Sequence, residues 1–178
     1  MPLVEYKEPV PTRASKANIS LFAEKLARHI GYDPKGPIEP LVSSLGGAIA
    51  YRNAVGQKPE SIVIEPRGNF KIFLPTMTSM NRDKFTIAHE LGHFYLHFPI
   101  IHSQDPEAGM KAYRWIEGSN AEQQRCEWEA NWFAASFVMP EELFKDLYER
   151  GGRDRVVDVL GVSAKAADVR AESLKLAA

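Results

Sequence analysis

His89-Glu90-Leu91-Gly92-His93 is the stretch of this chain most able to do chemistry. It fits the pattern H-E-x-x-H, and on an α-helix residues four apart lie on one face, about one turn from each other. Two neutral imidazoles placed that way can share a tetrahedral metal ion, and Glu90, beside the first ligand, can reach a water activated by it. Two histidines and one further protein ligand leave a fourth position open, the layout of a hydrolytic rather than a structural zinc site. Histidine and carboxylate ligands also suit other divalent ions. The plainer alternative is an amphipathic helix whose histidines happen to fall four apart. The surroundings favour the metal: a helical pattern starts near Asn81 or Asp83, both good N-cap residues, and stops at Pro99. Ala88, Leu91, Phe94, Tyr95 and Phe98 supply its apolar positions.

A third ligand is required. A histidine six residues after His93, reached through a glycine turn, is absent, because Leu96 and Pro99 hold those places. His97 continues the stripe but lies about 12 Å along a straight helix from His89, so it is expected to be a polar residue near the helix end. His102 ranks low, in a loop. The other source is a carboxylate on a second helix, and a helix over 121–138 offers Glu122, Glu127 and Glu129. Ala130 and Ala134 form a strip of small residues that lets another helix approach. Glu127 falls on that strip, while Glu129 points away and is expected to be surface charge. Asn131, one turn beyond Glu127, can orient a ligand by hydrogen bonding. Trp128 and Trp132 are expected to be packing residues.

The remaining elements must position these groups. A chain of 178 residues with a formal net charge of −1 can bury a core, and gives no global electrostatic case for nucleic acid or anionic membrane. A single cysteine, Cys126, excludes an internal disulfide framework. Without a signal-like N-terminus or a membrane-length apolar run, a cytoplasmic location is expected.

Residues 1–14, with Pro9 and Pro11, form an extended arm. Ser15 caps a helix to about Ile30, closed by Gly31, and Pro37 opens a short helix ending at Gly46-Gly47. Ala48–Tyr51, Ser61–Glu65 and Phe70–Leu74 follow as strands of a small antiparallel sheet. The stretch 99–120 has no clean period and is expected to be a long functional loop, a lid or specificity wall. After the helix over 121–138 come shorter helices at 141–149, 154–160 and about 163–176.

Taken together, Phe85–His93, Glu127–Ala135 and Val138-Met139-Pro140 resemble the ImmA/IrrE family of metallo-endopeptidases, two separated motifs agreeing in order and spacing. The resemblance implies an α+β, zincin-like fold with a small antiparallel sheet on a mainly helical domain. It implies His89 and His93 as zinc ligands, Glu90 as catalytic carboxylate, and a glutamate of the second motif as third ligand, Glu127 first and Glu129 as fallback. It implies a protein substrate, typically a helix-turn-helix transcriptional repressor cleaved in a stress or mobile-element response. On this reading 15–140 is the metallopeptidase core and 141–178 a C-terminal helical subdomain packed on it. The substrate would add a strand at an exposed sheet edge such as Phe70–Leu74. Tyr95, Tyr113, His102 and Arg125 are available to stabilise an oxyanion.

A second class is a DNA-binding module with a structural or non-catalytic metal, since Val156–Ser163 followed by Ala166, Val169 and Leu174 has a helix-turn-helix cadence. Its reading helix would present only Lys165, Arg170 and Lys175 against Asp168 and Glu172, a thin basic face for phosphate, so direct nucleic-acid binding is disfavoured. A metal-dependent regulator without proteolysis would have no use for Glu90.

Overall fold

The computed structural model describes residues 3–53, 59–114, 118 and 120–176. It is an α+β fold in which a five-stranded sheet lies against a helical layer. Strands β1 (Tyr6–Lys7), β2 (Gly47–Tyr51), β3 (Glu60–Ile64), β4 (Phe70–Leu74) and β5 (Gly109–Tyr113) are arranged in the order β1-β5-β3-β4-β2. β3 runs antiparallel to β4 and β5, but β2 pairs with β4, and β1 with β5, in parallel. The sheet is therefore mixed rather than antiparallel. Its core face carries Ile62, Ile64, Ile72 and Leu74, all fully buried.

Two further expectations fail. Phe70–Leu74 is no edge, since β4 lies between β3 and β2. Residues 99–120 are not one long loop, because they contain a helix and β5. Gly-Met-Lys-Ala-Tyr has no β-branched residue and little strand propensity; pairing and packing make it a strand. At Gly109 a Cβ would lie 2.6 Å from the Ile64 carbonyl oxygen and 2.7 Å from the Tyr6 ring, so glycine is what lets β1 come alongside. Part of the expected arm thus becomes the outer strand of the sheet.

Helix α1 (Lys16–His29) is capped by Ser15, whose side chain accepts from the Asn18 N–H, and α2 spans Glu39–Ser44. The metal-motif helix α3 (Met80–Gly92) is capped by Ser79, not by Asn81 or Asp83. Nor does it stop at Pro99. It widens into a π-helical turn (His93–His97) and continues as α4 (Phe98–Gln104), where Pro99 occupies the first turn and its missing N–H costs no hydrogen bond.

Helix α5 (Ala121–Val138) has the expected bounds and packs across α3. The contact is close where Gly92 faces Ala130: a Cβ on Gly92 would lie 3.0 Å from the Ala130 Cα. Below it Leu91, Phe133 and Ala134 are fully buried.

Helix α6 (Glu141–Leu160) is broken by non-helical backbone at Gly151 and Gly152, near the expected gap. Gly161, in the left-handed region at φ 61°, and the Ser163 cap then start α7 (Ala164–Ser173). Arg170 does not project from α7. It is buried, donating to the Met139 carbonyl at 3.1 Å and lying 3.6 Å from Glu24. The helix-turn-helix cadence therefore serves packing, and the reading face loses its central cation.

Candidate metal centre

The close approach of α3 and α5 brings His89, His93 and Glu127 together, with one ligand atom from each lying within 4.8 Å of the others. His89 Nε2 is 3.1 Å from Glu127 Oε2, and His93 Nε2 is 3.1 Å from Glu127 Oε1. The strip predicted from Ala130 brings Glu127, and not Glu129, to the histidine pair.

Protons on the imidazoles follow from their other partners. His89 Nδ1 lies 2.9 Å from Asn131 Oδ1, an acceptor, so Nδ1–H donates and Nε2 keeps its lone pair in the neutral ring. Behind His93 runs a buried chain: His93 Nδ1 is 3.0 Å from His97 Nδ1, and His97 Nε2 is 3.1 Å from Glu129 Oε2. Glu129 is fully buried and accepts from the Thr12 N–H and Oγ1, the Arg13 N–H and the Arg125 Nε–H. Burial alone would raise its carboxyl, but His97, Arg125 and Thr12 outweigh that and hold it at about 2. A carboxylate there requires a proton on His97 Nε2, which leaves His97 Nδ1 to accept from His93 Nδ1–H. His93 Nε2 is thereby left with a lone pair.

In the neutral rings, both Nε2 atoms would face the Glu127 carboxylate lone pair to lone pair. His93 Nε2 is buried and has no hydrogen-bond partner among the described residues, although Glu127 lies at hydrogen-bond distance from it. Two ring nitrogens and a carboxylate converging on one point fit a shared cation. The two rings differ in charge preference. Burial pushes His93 down to about 4, keeping it neutral. Burial also lowers His89, but Glu127 and Glu90 outweigh it and raise the ring to about 9: without a metal, this corner draws a proton to the place a cation fits. The residues present fit a divalent metal.

Glu90 is buried beside this set, and Ser61 Oγ donates to its Oε2 at 3.0 Å. Burial first, with Glu127 adding, pushes its carboxyl up to about 7. A cation among the three ligands would act in the opposite direction. His89, Glu90, Glu127, Ser61, Tyr113 and Arg114 border an open cleft of about 190 Å³.

Of the four groups named for an oxyanion, only Tyr113 lines this cleft. Tyr95 packs on Phe133, His102 lies against Phe98, and Arg125 binds Glu129. Glu122 pairs with Arg13 at the surface. Three readings need correction. His97 is a wholly buried link in a chain of hydrogen bonds, where it cannot be an ordinary helix-end residue; Glu129 is not surface charge, since the arm folds over it; and Trp128 is 53% exposed and does not pack in the core. Ser61 and Arg114 went unnoticed, because nothing in the letters of β3 and β5 brings them to α3. The His89–His93–His97 spacing did carry a signal for the buried chain.

The IrrE N-terminal-like domain model, Peptidase_M78, matches residues 51–172, more than half of the chain and both motifs. No curated protein matches the sequence. Among solved structures, a Mycobacterium tuberculosis transcriptional regulator is similar at a TM-score of 0.56 and 17% identity, over 84% of this chain and 45% of that one. This likeness is one of fold, and the present chain spans less than half of that regulator's length. With both helices of the motif crossing where the family model aligns, the chain belongs to the IrrE N-terminal-like family of metallopeptidases, Peptidase_M78.

Proposed function

We propose that the protein is a zinc-dependent endopeptidase, with His89, His93 and Glu127 as ligands and Glu90 as general base and acid. The observation carrying this reading is geometric: His89 Nε2 and His93 Nε2 each lie 3.1 Å from the Glu127 carboxylate, with the buried Glu90 carboxylate alongside. A divalent cation held there supplies Lewis acidity, polarising the scissile carbonyl and making water more acidic. Glu90 takes the proton from water and returns it to the leaving amine. Ser61 holds Glu90 in place through Oε2. Tyr113 and Arg114 stand on the cleft wall, where the phenol or guanidinium can face a developing oxyanion.

Strand addition moves from β4 to β5. β1 pairs only with Gly109 and Met110, so on that side Lys111–Tyr113 has no strand partner among the described residues. An extended substrate pairing there runs toward the cleft that Tyr113 lines. The substrate we assign is a helix-turn-helix repressor, its cleavage releasing stress or mobile-element genes in the cytoplasm. Family membership supports a protein substrate; the repressor and its setting follow from the resemblance of the two motifs. The helices over 141–176 are assigned as a C-terminal subdomain packed on the core, with Arg170 joined to Met139 and Glu24.

The test is zinc content and peptide-bond cleavage, measured for wild type and Glu90→Gln against a proteome-derived peptide library and the helix-turn-helix repressors of the same genome. Wild type binds zinc and cuts; Glu90→Gln keeps zinc and loses about 10²- to 10⁴-fold in kcat/KM. Cleavage undiminished in Glu90→Gln, or wild type unable to bind zinc, overturns the proposal.

A further inference from the structure

Beside the catalytic cleft lies a second, larger hollow of about 630 Å³, between α3, α5 and α7. The two share Phe85, Thr86 and Asn131, so they form one continuous surface. Phe85 and Thr86 precede His89 by about one helical turn, and Asn131 follows Glu127 by one, so the hollow starts on the order of 5–6 Å from the ligands. An extended peptide advances about 3.3 Å per residue. Side chains about two to four residues from the cleaved bond therefore fall into it.

Its chemistry is one-sided. Trp128, Trp132, Met139 and Val169 give it apolar walls, and Trp128 and Val169 are 53% and 58% exposed despite their size. Lys16, Arg82, Lys165 and Arg170 line it, and no carboxylate among the described residues does. Arg170 is buried and committed to Met139 and Glu24, and Lys16 donates to Ser173. Arg82 and Lys165 are exposed and lie in no ion pair among the described residues. In a chain of net charge −1, an apolar trough whose charged lining residues among those described are all cations is a local imbalance that an acidic ligand would answer.

We infer that this trough is the specificity site of the peptidase, binding a substrate segment in which a bulky apolar side chain lies next to one or two acidic residues. The inference rests on the peptidase reading above. The apolar side chain lies against Trp128 and Val169, removing exposed apolar surface from water. The acidic groups face Arg82 and Lys165. Rim charges of this kind discriminate between sequences more than they add affinity, and they weaken with salt.

The experiment compares cleavage-site profiles of zinc-loaded wild type, an Arg82→Glu/Lys165→Glu double variant and Trp128→Ala on the same peptide library. In parallel, metal-free proteins are titrated into two fluorescein-labelled peptides, one containing Asp-Glu-Leu-Phe and the other Lys-Lys-Leu-Phe. Wild type should favour acidic and bulky apolar residues two to four positions from the cut. The double variant should reverse the charge preference, with KM for acidic peptides up about three- to tenfold and kcat unchanged. Trp128→Ala should lose the apolar preference. A wild-type profile without acidic or apolar enrichment overturns the inference, as does an unchanged profile in the double variant. Should wild type cut nothing, the peptidase reading fails by itself. The anisotropy titration still decides the trough: reversal of peptide preference in the double variant upholds it, and equal binding of both peptides overturns it. A concentration-dependent dimer in light scattering, broken by the same substitutions, would assign the trough to a second copy of the chain instead.

Discussion

Glu127 and Glu129 are two residues apart on one helix, yet they inhabit opposite environments. Glu127 faces an open cleft and approaches the Nε2 atoms of two imidazoles at 3.1 Å, a set of donor atoms that fits a cation. Glu129 is sealed beneath the N-terminal arm, and five protein donors satisfy its carboxylate. Arg13, at φ 60°, bends the arm so that its N–H and that of Thr12 both reach the carboxylate. On the proposed reading, completeness is what separates the glutamate suited to a metal from the one that is not. A carboxylate whose bonds are all completed inside the fold is structure, while one that opens to a cleft beside two imidazoles is a candidate site. The sealed side still reaches the open one, since Glu129 fixes the proton on His97 and through it the one on His93.

That contrast can be broken by experiment. The largest effect should come from Glu127→Ala, which should end stoichiometric zinc binding while leaving the metal-free thermal midpoint near that of wild type; elemental analysis and calorimetry read the two. Glu129→Ala should do the reverse in emphasis. Removing one partner from a buried charged network should cost about 3–5 kcal/mol in urea unfolding. Zinc affinity, measured by competition with a chelating dye on the fraction that folds, should drop about 10- to 100-fold. Equal zinc loss in the two variants, with equal stability, would erase the distinction between the two sides.

Next in size is Gly92→Ala. The added methyl would meet the Ala130 backbone, so α3 and α5 must separate, at about 1–3 kcal/mol, and the ligands on the two helices separate with them. Unfolding and zinc titration should both show it. Smallest is Thr12→Ala, about 1 kcal/mol for the lost hydroxyl bond to Glu129. Its sharper readout is Cys126, a buried thiol pushed up to about 12 by burial and then by Glu129, Glu127 and Glu122. Iodoacetamide should label Cys126 on the order of a hundredfold more slowly in the folded wild type than in urea, and loosening the arm should narrow that gap.

Much of the fold could be read from local pattern. The helix over 121–138 and β4 have the bounds their letters suggested, and the Ser15 cap and Gly31 closure hold for α1. Misreadings cluster where a long-range partner overrides local preference. Pro99, a stop signal by rule, is tolerated because a π-helical turn lets a new helix start around it. β5 has almost no propensity and exists because β3 and β1 flank it. The choice of Ser79 over Asn81 or Asp83 as cap shifts α3 by a few residues and leaves the His89–His93 face unchanged.

By itself, the sequence determined the chemistry on offer. H-E-x-x-H on a helix fixes the relative placement of His89, Glu90 and His93, because helical periodicity is a property of the local backbone. The small strip at Ala130 likewise determined which face of α5 another helix could approach. Only the tertiary structure decided what each group does with its remaining bonds. That Glu129 is sealed by Thr12 and Arg13, that His97 passes a hydrogen bond to His93, and that Arg114 and Ser61 reach the cleft all depend on contacts between residues far apart in the chain. Spacing within a helix cannot encode such contacts, because they are set by where the sheet and the arm come to rest against it.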